Sequence, residues 1–83
     1  MFLVYILQSE PTNRYYVGYT NDLDRRLTEH NRKKGKYTDG GIPWKMVYSE
    51  TYLSKKEAMD RERFIKQQKS RVFIESLVSS SDG

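Results

Sequence analysis

The chain has 83 residues, of which 36% are hydrophobic and 31% charged, and it carries a formal net charge of +4. This length predicts one small domain and excludes a separate recognition module beside it. The absence of cysteine excludes disulfides, thiolate zinc sites and cysteine nucleophiles. Since neither a signal peptide nor an apolar run of about 18 residues is found, we expect a soluble, cytoplasmic monomer without a membrane partner.

Basic residues are clustered along the chain. The densest run is Arg32-Lys33-Lys34-Gly35-Lys36, and further bases lie at Arg25-Arg26, at Lys55-Lys56 and between 61 and 71. Clustered positive charge suits contact with a phosphate backbone, although many small soluble domains are mildly basic without such a partner.

Two segments near the N-terminus predict a pair of strands. Residues 1–8 form a nearly continuous apolar run, which is typical of a strand buried on both faces. A turn containing Pro11 and Asn13 follows. Residues 15–20 are rich in aromatic and β-branched side chains, which favours a second strand.

The connection between these strands sets the expected register. If Gln8 pairs with Asn13 across a four-residue loop, the register places Tyr5 opposite Tyr16, with both rings on one face of the hairpin. Gly18 would share that face. A glycine inside a strand marks either the close approach of another group or, more simply, a bulge or a packing gap under a ring, and both readings stay open.

The next segment predicts an amphipathic helix that begins at an Asn21 cap and ends near Gly35. Leu23 and Leu27 are spaced i, i+4 and define its buried stripe. Arg26 and His30 lie together on one flank of that stripe, whereas Arg25 points away from it. A lone histidine in such a place is more often structural than catalytic, but the adjacent arginine favours function.

Residues 44–52 alternate in hydropathy and predict a third strand with Trp44, Met46 and Tyr48 on one face. Ser54 and Glu57 then form a capping box that opens a helix reaching about Lys69. A last helix, capped by Ser70, would cover the core with Phe73, Ile74, Leu77 and Val78. We therefore expect a domain over residues 1–78 and a disordered tail over 79–83.

One carboxylate on the long helix lies in an unusual place. Ala58 and Ile65 set the buried face of this helix, and Glu62 falls between them. A carboxylate aimed at the core is costly unless it is paired or coordinates a metal. Two readings follow, a salt bridge to Arg26 or Arg61 and a cation site.

The inward-facing polar residues are Tyr5, Tyr16, Arg26, His30 and Glu62. This set fits hydrolysis of a phosphodiester at a single Mg²⁺ or Mn²⁺, held by Glu62 and water molecules. Arg26 would donate to a non-bridging phosphate oxygen. A tyrosine or His30 would take the proton from the attacking water, and a phenol needs help from a nearby cation to do so.

These residues give the chain a close resemblance to the GIY-YIG nuclease family. Leu3-Val4-Tyr5 corresponds to the first signature strand and Tyr16-Val17-Gly18 to the second, with the family's spacing of 11 residues between the tyrosines. Arg26 and His30 follow the second tyrosine at the family's ten and fourteen positions. Ala58, Glu62, Ile65 and Lys66 match the pattern of the metal-binding helix. The likeness runs from about Met1 to Leu77 and is greatest to short, stand-alone bacterial members.

The resemblance implies an α+β fold, with a small three-stranded antiparallel sheet flanked by about three helices. It also implies a divalent-metal endonuclease that cuts duplex or branched DNA in repair or processing, with Tyr5 favoured as general base and Tyr16 beside it. Two departures stand out. Leu3 replaces the glycine of the first signature, and Tyr19 stands where excision-repair relatives carry a lysine.

Without a recognition domain, backbone charge would supply most of the affinity for DNA, and a separate protein could supply specificity. The residues expected to contact nucleic acid are Gly18, Tyr19, Arg32, Lys33, Lys34 and Lys36. Two alternatives stay open. One is a nucleic-acid-binding module with little catalysis, and the other is a small adaptor whose basic face binds an acidic partner.

Overall fold

The computed structural model describes residues 1–33, 35 and 37–80. Its elements, in chain order, are β1 (Phe2–Ser9), β2 (Tyr15–Thr20), α1 (Leu23–His30), a 3₁₀ helix (Tyr37–Gly41), β3 (Trp44–Tyr52), α2 (Lys55–Gln67) and α3 (Arg71–Ser80). The predicted α+β fold, with three antiparallel strands and three α-helices, is confirmed. Among the described residues, no helix is both long and apolar enough to cross a bilayer.

The sheet has the strand order β2-β1-β3, so β1 is its centre and β2 is an outer strand. Four consecutive residues of β1, Val4 to Leu7, are fully buried. Alternate side chains of a strand point to opposite faces, so both faces of β1 are covered. This confirms the prediction made from its continuous apolar run.

The register of the hairpin differs from the predicted one by two residues. Tyr5 pairs with Gly18, and Tyr16 pairs with Leu7. The predicted pairing of Tyr5 with Tyr16 is wrong because the turn lies one residue later in the chain: Ser9 N–H donates to Arg14 O at 2.9 Å, and Asn13 lies inside the turn with φ 60° instead of pairing with Gln8. A shift of two residues preserves the alternation of faces, so both tyrosines still lie on the same face.

A bulge in β3 changes which of its side chains share a face. The pairing with β1 shifts between Ile6, opposite Tyr48, and Leu7, opposite Met46. The extra residue turns the rest of the strand over. The prediction that Trp44, Met46 and Tyr48 share one face is therefore wrong: Trp44 packs with Tyr5 and Leu7, whereas Tyr48 packs on the opposite face.

The helices cover the two faces of the sheet. On one face, α2 and α3 bury a core of Val4, Ile6, Val17, Ala58 and Ile65, and Phe73, Ile74 and Leu77 pack against it as predicted. On the other face, α1 covers a second core of Tyr5, Leu7 and Trp44. Leu23 and Leu27 pack there, which confirms the predicted stripe.

The ends of α1 differ from the prediction. Its N-cap is Asp22 rather than Asn21, since the Asp22 carboxylate accepts from Arg25 N–H at 3.1 Å. The helix ends at His30, well before Gly35. The reason lies at Asn31, whose side chain donates to Trp44 O at 2.9 Å and accepts from Trp44 N–H at 2.6 Å. These two bonds tie the chain to the start of β3.

The caps of the two later helices are as predicted. Ser54 Oγ accepts from Glu57 N–H at 3.2 Å, and Ser70 Oγ accepts from Phe73 N–H at 3.1 Å. Helix α2 ends at Gln67, and Lys69 turns the chain with φ 48°. Helix α3 continues through Ser80, two residues past the expected domain boundary at 78, and residues 81–83 of the expected tail lie outside the described residues.

Candidate active site

Three aromatic rings from separate elements meet on the face of the sheet that α1 covers. Tyr5 comes from β1, Tyr16 from β2 and His30 from the last turn of α1. The Tyr16 and His30 rings are 4.5 Å apart between centroids at 61°, and the two tyrosine rings are 6.4 Å apart at 28°. The Tyr5 hydroxyl lies 3.2 Å from His30 Nε2, within hydrogen-bonding distance. The structure therefore brings together three of the five residues selected from the sequence.

Gly18 explains why the Tyr5 hydroxyl can lie where it does. A Cβ built on Gly18 would be 2.6 Å from Tyr5 Oη, 2.8 Å from Tyr5 Cζ and 3.1 Å from Tyr16 Cε1. The first two distances are shorter than van der Waals contact allows, so any side chain here would displace the phenol. Of the two readings left open above, the packing gap under a ring is the one observed.

Arg26 lies on the same flank of α1, close enough to act on the Tyr5 phenol. Burial raises the pKa of Tyr5, and the neighbouring Tyr16 adds to the rise, while the charge and hydrogen bond of Arg26 oppose it. The Arg26 guanidinium also pairs with Glu29 at 3.4 Å, and the Arg26 side chain is 42% exposed to solvent. It is thus fixed at one end of the cluster and still accessible to an anion.

Glu62 reaches this cluster around the outer edge of β2. Its charge also raises the pKa of Tyr5, so the carboxylate is within electrostatic reach of the phenol. The side chain is 20% exposed, and its partner is Lys66 at 3.6 Å. The alternative reading of a salt bridge to Arg26 or Arg61 is not supported, because Arg26 pairs with Glu29 and Arg61 with Glu50.

An open cavity of about 440 Å³ joins Tyr16, Gly18, Arg26 and Glu62. Its lining residues are Phe2, Tyr16, Gly18, Tyr19, Thr20, Asn21, Arg25, Arg26, Lys55 and Glu62. The cavity has one carboxylate and three basic side chains around two tyrosines and a glycine. This combination can receive a phosphate together with a cation beside Glu62.

The donor set fits a hydrated divalent cation held by a single protein ligand. Among the described residues, no group of three or more His, Cys, Asp or Glu side chains could form a metal cage. Mg²⁺ commonly binds through one or two carboxylates and keeps most of its waters. Glu62, partly exposed in the cavity, provides one such carboxylate, and its nearest cation is a flexible lysine.

The residues expected to contact nucleic acid are divided between different places. Gly18 and Tyr19 line the cavity, and Tyr19 also packs against the core beneath α2 and α3. Arg32 and Lys33 follow α1 and are exposed. Lys34 and Lys36 lie outside the described residues.

Two basic residues of the cavity were missed in the sequence. Arg25, which the helical projection directed away from the site, lines the cavity, and so does Lys55 at the start of α2. The Arg25 side chain is 64% exposed and only 4.0 Å from Asp22. A helical projection compares angles around one axis and ignores the reach of a long side chain in the first turn. The sequence held one signal for Arg25, which is that it directly precedes Arg26.

Comparison with known proteins shows the family and supports the fold. A family model described as the GIY-YIG catalytic domain matches residues 1–75. A UPF0213 protein of Streptococcus pneumoniae serotype 4 is 40% identical over 80 residues, which cover 95% of this chain and 80% of that protein. The UPF0213 protein YazA of Bacillus subtilis is 38% identical over 74 residues, covering 84% and 75% of the two chains. The solution NMR structure of a UPF0213 protein from Bacillus halodurans is 42% identical, with a TM-score of 0.63 over 100% of this chain and 88% of that one.

Proposed function

Because the chain belongs to the family of GIY-YIG catalytic domains, we propose that it is a divalent-metal-dependent endonuclease that hydrolyses phosphodiester bonds of DNA. The observation that carries the proposal is the meeting of Tyr16, Arg26 and Glu62 in one open cavity beside the Tyr5–His30 hydrogen bond. A binding module has no evident need for this combination of proton acceptor, cation and partly buried carboxylate.

The scissile phosphate lies in the cavity with a non-bridging oxygen on Arg26. Charge-assisted hydrogen bonds from a guanidinium suit a phosphate oxygen, since its donors form a rigid fork. Arg25 and Lys55, on the rim of the same cavity, add positive potential that attracts the DNA backbone. The pairing of Arg26 with Glu29 holds the guanidinium in place before DNA arrives.

Tyr5 and His30 together accept the proton of the attacking water. Because burial raises the pKa of the Tyr5 phenol, no phenolate is available to act as the base at neutral pH. With neutral His30 as its acceptor, the Tyr5 hydroxyl can pass its own proton to Nε2 while it takes one from water. The Tyr5 oxygen is next to Gly18, which lines the cavity, so the water needs to approach only over a residue without a side chain.

Glu62 would hold the Mg²⁺ or Mn²⁺ ion, with water molecules completing its shell. When bound, the cation would neutralise charge on the phosphate and on the leaving oxygen. The part of Glu62 itself is to fix the ion at the end of the cavity nearest α2. Lys66, at 3.6 Å from the carboxylate, is the group that the ion would displace.

The test is cleavage of supercoiled plasmid and of a branched duplex by wild type and by Glu62→Gln, with Mg²⁺ or Mn²⁺. We expect Glu62→Gln to abolish metal-stimulated cleavage while DNA affinity stays within about twofold, since the cavity keeps its cations. Asp60→Asn is the matched control, because this carboxylate lies on the same helix and pairs with Lys56 at 2.7 Å on an exposed surface. Equal cleavage by wild type and Glu62→Gln would refute the assignment of Glu62 as the metal ligand, and the absence of cleavage by wild type would refute the nuclease and favour a binding module.

A further inference from the structure

A second groove lies beside the candidate active site, along the same outer edge of β2. Its volume is about 290 Å³, and it runs between β2 and the junction of α2 with α3. The floor is apolar and consists of Val17, Ile65 and Ile74, the first two of which are buried. Tyr15 and Tyr16 form the wall on the β2 side.

The far side of the groove carries positive charge. Lys66 and Lys69 both line it. Lys69 is exposed and follows the end of α2 in a left-handed conformation, with φ 48°. Within the described part of the chain, the Lys69 ammonium has no carboxylate within 4.0 Å, whereas Lys66 reaches Glu62. The groove therefore pairs an apolar floor and aromatic wall with an uncompensated cation.

The aromatic wall is held in place from outside. The Arg71 guanidinium lies 4.7 Å from the centroid of the Tyr15 ring, and its Nη1 donates to Asn13 O at 2.8 Å. A contact of this kind restricts the ring. The groove is thus formed before any ligand enters, which lowers the entropic cost of binding.

The groove continues the candidate active site. Tyr16 lines both cavities, and Lys66 links them, since its Nζ is 3.6 Å from Glu62 and 6.0 Å from the centre of the Tyr16 ring. Along β2, Gly18 and Tyr16 are about 7 Å apart at the rise of an extended strand. This is comparable to the separation of neighbouring phosphates in an extended nucleic-acid strand.

We propose that this groove binds one unpaired nucleotide of the strand that is cut, next to the scissile phosphate. The inference rests on the proposed function and adds a substrate class to it: DNA with a single-stranded segment at the cleavage point. A base stacked on tyrosine with its phosphate near lysine is the usual chemistry of single-strand binding. A volume of about 290 Å³, at the low end of ligand pockets, is suited to one nucleotide.

The test uses the full chain carrying Glu62→Gln, with ¹³C-labelled Ile and Val methyl groups observed by NMR. The probes are hexathymidylate, a blunt hairpin duplex with the same number of phosphates in its stem strand, and hexaglutamate. We expect hexathymidylate to shift the methyl signals of Val17, Ile65 and Ile74, and the other two probes to leave them within about a tenth of that shift. Equal shifts with hexaglutamate would overturn the proposal in favour of an acidic protein partner, and equal shifts with the duplex would remove the requirement for an unpaired base.

A charge-matched pair of variants gives a second measurement. Lys69→Gln should lower the slope of log affinity against log salt for hexathymidylate by about 0.7, the value for one lost phosphate contact on a single strand. Lys56→Gln, which removes the same charge from an exposed position of α2 paired with Asp60, should leave the slope unchanged. Equal effects of the two variants on the slope would overturn the proposal that a phosphate of the bound strand lies at Lys69.

The two proposals fail differently. If wild type cleaves no DNA while hexathymidylate still shifts the groove methyls, the nuclease proposal fails and the groove remains a nucleotide-binding site. If wild type cleaves DNA and the groove methyls stay still, only the groove proposal is refuted.

Discussion

The hydroxyl of Tyr5 lies 3.2 Å from Nε2 of His30, although 25 residues separate them in the chain. The contact crosses from the central strand of the sheet to the last turn of α1. It places a hydroxyl proton next to a ring nitrogen in a cluster where Tyr5 has no exposed surface and His30 is partly buried. A hydrogen bond between such groups is the minimum needed to move a proton without a free phenolate.

Tyr5→Phe tests the role of this hydroxyl. The change keeps the ring that fills the core beneath α1 and removes only the group that faces His30. We expect cleavage to slow by roughly 10²–10⁴-fold, the usual contribution of a positioned acid or base. Thermal unfolding should change little, because one ordinary hydrogen bond contributes about 1 kcal/mol.

Tyr16→Phe is the matched control for that measurement. Tyr16 lines the cavity and Tyr5 does not, so the two phenols differ in access to substrate. A mild effect of Tyr5→Phe together with a large effect of Tyr16→Phe would reverse their roles. Rates measured from pH 5 to 9 on both variants would show which hydroxyl is coupled to the proton transfer.

Gly18→Ala tests whether the position of Tyr5 depends on the missing side chain. The added Cβ would be 2.6 Å from the Tyr5 oxygen, and the buried ring has little room to retreat. We expect the Tyr5–His30 bond to break, activity to fall at least as far as in Tyr5→Phe, and unfolding free energy to drop by about 1–3 kcal/mol from overpacking.

Gly40→Ala provides the control for this substitution. A Cβ on Gly40 would meet no atom within 4 Å, so the same chemical change adds no clash. Activity and melting temperature close to wild type are expected there. If both glycine variants lose activity equally, displacement of Tyr5 does not explain the loss in Gly18→Ala.

The sequence predicted the strands and the helices well because their signals are local. Periodicity shows the buried stripes of α1 and α2, and a capping box shows where α2 begins. The register of the β1–β2 hairpin depends on where its turn begins, and the faces of β3 depend on one bulge. Neither has a local signature here, since an extra residue such as Val47 in a strand looks like ordinary alternation until its pairing is known.

The membership of the cavity was also only partly predictable. Glu62 was found because a carboxylate between two buried apolar positions is conspicuous. Arg25 and Lys55 were missed because both are exposed, and an exposed base resembles any other until the opposite wall is known. The two hydrogen bonds between Asn31 and the Trp44 backbone were not predicted either. They join segments that are distant in the chain, and no spacing rule predicts such a contact.

The exposed pair Arg32 and Lys33 gives a prediction about DNA affinity. If DNA lies against the end of α1, each side chain neutralises about one phosphate. We expect the double substitution to Gln to reduce the slope of log affinity against log salt by about two, with cleavage at saturating DNA nearly unchanged. A filter-binding titration between 50 and 300 mM salt measures it, and an unchanged slope would exclude this face as the docking surface.

A second polar network, on the opposite face of the sheet, governs how stability depends on pH. The Glu50 carboxylate accepts from Arg61 Nε at 3.0 Å and Nη2 at 3.1 Å, from Tyr52 at 2.6 Å and from Tyr48. The bond between Glu50 and Arg61 ties β3 to α2, and Arg61 directly precedes Glu62 in the chain. Burial would raise the pKa of Glu50, but the hydrogen bonds from Arg61, Tyr48 and Tyr52 outweigh it and hold the pKa below its ordinary value.

Since the folded state lowers the pKa of Glu50, the stabilisation is present above the ordinary value of 4.5 and is lost as the pH falls through the lowered one. The opposite holds at high pH: burial and the bond to Glu50 raise the pKa of Tyr52 to about 12. The stability contributed by neutral Tyr52 is therefore present below its ordinary value of 10.0 and lost as the pH rises through the raised one. The free energy of unfolding, measured with urea between pH 3 and 11, should therefore decrease towards both ends of this range.

Glu50→Gln separates this network from general charge effects. We expect it to cost about 2 kcal/mol at pH 7, as for a hydrogen-bonded charged group, because Arg61 is left with 29% exposure and no carboxylate. The dependence of stability on pH below 5 should shrink in the variant. Glu75→Gln removes a carboxylate from an exposed pair with Arg71 and should cost less than about 1 kcal/mol. Equal losses in the two variants would mean that the Glu50 network adds nothing beyond a surface ion pair.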